Sequence, residues 1–130
     1  MHPISELLCR TYSELHKNGQ VSFPLRESHK HALDSVVKTV NANYFGIERF
    51  PTPRDKAVAY LCLLIKNHPL TDGNKRLALL WFDVYCQVSG LVPREPDFGY
   101  DALVVAIEQA PLKMETLFAF VNRLLFGKSP

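Results

Sequence analysis

Apolar residues recur along this chain at helical spacing, and prolines and glycines punctuate the recurrences. Ile4, Leu7, Leu8, Tyr12 and Leu15 form one stripe. Pro3 suits a first helical turn and Asn18-Gly19 a stop, so the pattern predicts a helix over Pro3 to Lys17. Leu25, Ala32, Leu33, Val36, Val37 and Val40 predict a second from about Pro24 to Asn41. Thr52-Pro53-Arg54-Asp55 is a strong helix start: a cap, a first-turn proline and an acid at the positive end. The helix it opens carries Ala57, Val58, Leu61, Cys62, Leu64 and Ile65 and is apolar almost all round, which marks a central buried element. Pro69 ends it.

A fourth helix starts near Gly73 or Asn74. Leu77, Leu80, Trp81, Val84, Tyr85 and Val88 follow the i, i+3, i+4, i+7 spacing and Gly90 stops it. After a proline-rich connection, Val92 to Phe98, a fifth spans about Tyr100 to Gln109. Pro111 interrupts, and a sixth covers about Lys113 to Phe126. Residues Tyr44 to Pro51 break the helical pattern with Gly46, Pro51 and a central Glu48-Arg49 pair, and read as a loop or short hairpin. The expectation is an all-α bundle of about six helices with a small hairpin-like flap.

Composition changes this picture little. The 130 residues are 47% hydrophobic and suffice for one core. Fifteen basic and thirteen acidic side chains leave a formal charge of +2, too small to argue for a protein built around nucleic acid. Cys9, Cys62 and Cys86 lie far apart without a CxxC pair, as buried reduced thiols do. The N-terminus has no leader-like stretch, and no apolar run approaches the ~20 residues of a membrane span. The expectation is a soluble, cytoplasmic protein.

Candidate chemistry concentrates in the nine residues His68-Pro69-Leu70-Thr71-Asp72-Gly73-Asn74-Lys75-Arg76 between helices three and four. His68 can accept a hydroxyl proton near neutral pH. Asp72 is a hard oxygen ligand suited to magnesium. Gly73 leaves backbone uncovered, and the N–H groups of Gly73, Asn74 and Lys75 stand at a helix start that attracts anions. Asn74 can orient the loop or donate to a phosphate, Lys75 adds positive charge, and Arg76 can grip two phosphate oxygens. The plainer alternative is a helix–helix turn in which Asp72 caps, Gly73 turns and Lys75-Arg76 are solvated. It is not a Walker-type loop, which needs an earlier glycine and a Ser or Thr directly after the lysine. Other histidines are weaker candidates: His29 and His31 are two apart on a helix and cannot share a metal there. Trp81, Phe82 and Tyr85 read as core rather than as a base-stacking platform.

His68, Asp72, Gly73, Asn74, Lys75 and Arg76 match in register the Fic/Doc signature His-x-Phe-x-Asp/Asn-Gly/Ala-Asn-Lys/Gly-Arg, and residues 20 to 110 or so resemble that family's helical core. The resemblance implies a single Fic/Doc-like domain over residues 1–130, its core at about 20–110. It implies ATP and Mg2+ as cofactors, His68 as the base for a target Ser, Thr or Tyr hydroxyl, and Asp72 as the magnesium ligand. Gly73, Asn74, Lys75 and Arg76 would bind the phosphates. It further implies that Tyr44, Phe45, Gly46, Ile47, Glu48, Arg49 and Phe50 form a flap docking an extended target segment by strand addition.

Two departures bear on the reaction. Leu70 stands where the family's anchoring phenylalanine is usual. Lys75 stands where AMP-transferring members carry glycine, and Leu79 where they carry a second arginine; this resembles the Doc branch, whose toxins phosphorylate a threonine of elongation factor Tu with the nucleotide reversed. Doc-like phosphoryl transfer is therefore favoured over AMP transfer by the same site, and Gly73, the Fic-like choice over alanine, keeps the second in view. The inhibitory Ser/Thr-x-x-x-Glu pattern is absent, since Ser5, Ser13, Ser22, Ser28 and Thr116 lack a glutamate four residues on. A growth-arresting toxin restrained by a separate antitoxin chain is expected. A catalytically silent partner-binding protein and a helical DNA-binding module are the alternatives of another class.

Overall fold

The computed structural model describes residues 1–127. Their architecture is all-α: α1 (Pro3–Lys17), α2 (Glu27–Val40), α3 (Pro53–Lys66), α4 (Asn74–Val88), α5 (Tyr100–Gln109) and α6 (Met114–Phe126), with one two-stranded hairpin between α2 and α3. The sequence places the starts of five of these helices to within about a residue. It starts α2 too early. Pro24 and Leu25 stay outside because the Arg26 N–H is taken by His29 Nδ1 at 3.2 Å, and helical backbone begins only at Glu27.

Helix α3 is the axis of the fold and touches α2, α4, α5 and α6. Every residue from Ala57 to Ile65 is buried, so this helix has no polar stripe to turn outward. Tyr60 meets Trp81 of α4 edge to face at 5.7 Å. Burial pushes its hydroxyl up to about 12, although Asn41 donates to it at 3.0 Å. Trp81 and Phe82 are core, as expected, and Tyr85 lies half-buried at its edge. All three cysteines are buried and unpaired, and burial lifts Cys62 and Cys86 to about 12. No helix among the described residues is long and apolar enough to cross a membrane.

The 44–51 break is a hairpin, β1 (Asn43–Tyr44) paired antiparallel with β2 (Ile47–Glu48). Its two-residue turn, Phe45-Gly46, has φ of 55° and 81°, the left-handed pair that lets tight hairpins twist correctly.

Helices α1 and α2 are joined by a polar knot. Ser5 Oγ donates to the buried Asp34 at 2.6 Å, the His2 N–H donates at 3.2 Å, and Lys38 Nζ lies 2.9 Å away. The Ser5 hydroxyl first, then Lys38, hold the Asp34 carboxyl down to about 2. A depressed acid stabilises the fold above its unfolded value near 4, and that contribution disappears as pH falls through 2. The melting temperature should therefore drop between about pH 4 and pH 2. Asp34→Asn should melt lower at neutral pH and lose part of that dependence; thermal melts across this range check both.

Candidate active site

The loop between α3 and α4 is shaped by which of its residues go inside. Pro69 and Leu70 are buried and pin its middle to the core, Leu70 being only 5% exposed. Leucine thus fills the anchoring position despite its smaller volume. His68, between the end of α3 and this anchor, is forced outward. It takes a left-handed φ of 46° with more than half of its side chain exposed. For a non-glycine residue this backbone costs about 1–3 kcal/mol and persists only where neighbours impose it.

Those neighbours can be named. Asn74, buried at the first position of α4, closes the loop: its Oδ1 accepts the Leu70 N–H at 2.9 Å and its Nδ2 donates to the Leu70 carbonyl at 3.0 Å. Of the two roles open to Asn74 in sequence, the structure shows loop orientation. His29 tethers the loop from α2. Its Nδ1 accepts the Arg26 N–H, which leaves the neutral ring's proton on Nε2, 3.0 Å from Thr71 Oγ1. Gly73 has φ of 81°, and a Cβ there would lie 2.5 Å from Val21 Cγ1. The Cβ side of Gly73 is therefore packed by Val21 of the α1–α2 connection.

The charged groups spread from this frame in two directions. Lys75 Nζ lies 3.2 and 3.1 Å from the two carboxylate oxygens of Glu108 on α5, and His68 Nε2 lies 3.5 Å from one of them. Arg76 turns the other way and donates to the Gln20 carbonyl at 3.1 Å. Lys75 and Arg76 border a groove of about 790 Å³ between α1, α4 and α5, walled by Leu79, Leu80, Tyr100 and Val104. His68 does not line the groove, whereas Lys75 borders it and shares Glu108 with the imidazole. The first backbone bond of α4 runs from the Leu77 N–H to the Gly73 carbonyl at 2.9 Å. The N–H groups of Asn74, Lys75 and Arg76 precede it and are the helix's open donors.

Asp72 is exposed. Burial, and secondarily the Asp72 charge, raise the Tyr12 hydroxyl, which donates to the Phe23 carbonyl at 2.7 Å. Among the described residues no three His, Cys, Asp or Glu side chains are grouped to hold a metal. A lone carboxylate fits magnesium only in the way that ion is commonly held, shared with phosphate oxygens and water.

The seven flap residues divide. Tyr44, Phe45, Gly46 and Ile47 are exposed, Phe45 completely so at the turn. Glu48 pairs with Lys56 at 3.2 Å and Arg49 with Glu115 at 3.0 Å. Lys56 also donates to the Phe50 carbonyl, and Phe50 is buried edge to face on Phe118. The last three anchor the hairpin and the first four stay exposed. The flap base and the motif meet the two ends of one short connection, since Glu115 holds Arg49 and Glu108 holds Lys75.

Sequence reasoning missed Glu108, Val21 and the role of His29. Nothing in the pattern of α5 distinguishes Glu108 from a solvated helical acid. Only His29 offered a signal, as the fourth residue of an Arg-x-x-His helix start.

A sequence model of the Fic/DOC family matches residues 3–86. The Toxin Doc of Mycolicibacterium smegmatis is 38% identical over 69 residues, 53% of this chain and 52% of that protein. The chain thus aligns with about half the length of this curated relative. No solved structure matches.

Proposed function

The chain belongs to the Fic/Doc family, and from that premise we propose that it is a Doc-like transferase that moves the γ-phosphoryl group of ATP to a protein hydroxyl. His68 is the base, and Asp72 would hold the magnesium ion. The open N–H groups of α4, with Lys75 and Arg76, receive the phosphates, and Asn74 keeps the loop in register. The supporting observation is that Lys75 both borders an apolar groove of nucleotide size and shares the Glu108 carboxylate with the exposed His68 imidazole. A nucleoside in the groove would send its phosphates past Lys75 toward His68, so the terminal phosphate arrives at the base. Leu79, where AMP-transferring members carry arginine, belongs to the groove's apolar wall.

Magnesium would supply charge neutralisation between phosphate oxygens. The target would add a strand to the hairpin beside Tyr44 and Ile47, where main-chain bonds tolerate many sequences. On the same reading residues 1–130 act as one catalytic unit, supported by a contiguous hydrophobic cluster that draws on all six helices. A growth-arresting role and a separate antitoxin partner are the inferences drawn from the Toxin Doc relative.

AMP transfer by the same residues is the competing outcome. Incubation with a bacterial lysate and ATP labelled at either the α or the γ position decides. Protein-bound label is expected from γ-labelled ATP alone; retention of α label would replace phosphoryl with AMP transfer.

A further inference from the structure

Glu108 lies outside the loop that carries the motif, yet two of the loop's side chains converge on it. Its carboxylate accepts from Lys75 Nζ with both oxygens, at 3.2 and 3.1 Å, and faces His68 Nε2 at 3.5 Å. Its backbone is fixed as well. Lys66, at the end of α3, donates to the Glu108 carbonyl at 3.1 Å and to the Ala110 carbonyl at 2.7 Å, clamping the last turn of α5 beside the loop.

The other face of the imidazole determines where its proton sits. The Asn74 amide has one possible orientation, because its Oδ1 accepts the Leu70 N–H. The end 3.3 Å from His68 Nδ1 is therefore the donor Nδ2. A donor aimed at Nδ1 requires a lone pair there, so the neutral ring carries its proton on Nε2, toward Glu108. In this arrangement neither nitrogen can take a proton from a substrate. Nε2 already bears one, and the lone pair of Nδ1 is covered by a buried amide.

We propose that Glu108 is a positioning residue for both His68 and Lys75, through which a phosphate arriving at Lys75 releases the imidazole for use as a base. A phosphate oxygen competes with the carboxylate for the same ammonium. Once Glu108 is displaced, the exposed His68 ring loses the acceptor that favours Nε2–H and turns away from Asn74. Exchange with water then removes the proton from Nε2 and places one on Nδ1, and Nε2 presents its lone pair outward. Base competence is thereby tied to an occupied phosphate site. This rests on the reading of His68 as base and Lys75 as phosphate ligand.

Imidazole 15N shifts of histidine-labelled full-length protein, with calorimetric titration of inorganic tripolyphosphate, test it without requiring transfer. Wild type alone should show His68 as the Nε2–H tautomer, and saturating tripolyphosphate should move it toward Nδ1–H. Glu108→Ala should show mixed tautomers without ligand and bind tripolyphosphate at least threefold more tightly. Glu108→Gln retains a neutral acceptor, so it should keep Nε2–H while gaining affinity as the alanine variant does. A Nε2-unprotonated wild-type ring, or a Glu108→Ala protein unchanged in both tautomer and affinity, would overturn the proposal. Absence of tripolyphosphate binding to wild type and variants alike would overturn its phosphate half. If these readouts come out as expected while no label moves from ATP, the transfer reading fails and the positioning role stands.

Discussion

His68→Ala is expected to lower transfer from ATP by ~10²- to 10⁴-fold, the range over which a positioned general base contributes, and to relieve growth arrest on expression in bacteria. The fold should survive. His68 lies more than half exposed, and its side-chain contacts are a 3.3 Å approach to Asn74 and a 3.5 Å approach to Glu108. Buried Pro69 and Leu70, and the Asn74–Leu70 pair of hydrogen bonds, keep the loop closed without the imidazole. Labelled-ATP assays on lysate, beside growth curves of cells expressing wild type or variant, read both effects. Equal toxicity of the two proteins would remove His68 from the chemistry. Nearly silent substitution with steeply salt-dependent DNA binding would instead favour the DNA-binding alternative.

Gly73→Ala should destabilise the fold. Two costs combine. A Cβ on backbone at φ of 81° is disfavoured by about 1–2 kcal/mol, and the same atom would sit 2.5 Å from Val21 Cγ1, an overpacking of about 1–3 kcal/mol. A loss of roughly 2–5 kcal/mol is expected by denaturant titration. Val21→Ala in the same chain should recover the packing share and leave the backbone share. A Gly73→Ala protein as stable as wild type would show that Val21 does not close over this glycine. Transfer should fall as well, because Gly73 sets the start of α4 and with it the direction of the open N–H groups.

Much of this molecule is legible along the chain. The apolar run from Ala57 to Ile65 has no polar side, so α3 had to be central. The Thr52-Pro53 start and the Pro69 stop set its ends. The His68 to Arg76 loop was visible because its residue types exceed what a turn requires. The start of α2 was less legible, since Leu25 continues the apolar spacing that a side-chain cap at Arg26 overrides. Period and propensity act on neighbours in sequence, whereas a cap depends on one side-chain orientation.

The site was harder to read because its decisive contacts are non-local. Glu48, Arg49 and Phe50 look no different in sequence from Tyr44 and Ile47, but packing against α3 and α6 turns the first three into anchors. Gly73 reads in sequence only as a turn glycine with bare backbone, and nothing there signals that Val21 packs against its Cβ side.

The sequence by itself determined the helices, the central place of α3 and the chemical repertoire of the loop. Periodicity, capping and side-chain chemistry are properties of a residue and its near neighbours. Only the tertiary structure decided how that repertoire is deployed: Lys75 toward Glu108, Arg76 toward Gln20, and His68 held between Asn74 and a carboxylate on another helix. Ion-pair partners and imidazole tautomers follow from distances of about three ångströms between groups far apart in the chain, and helix packing alone sets those distances.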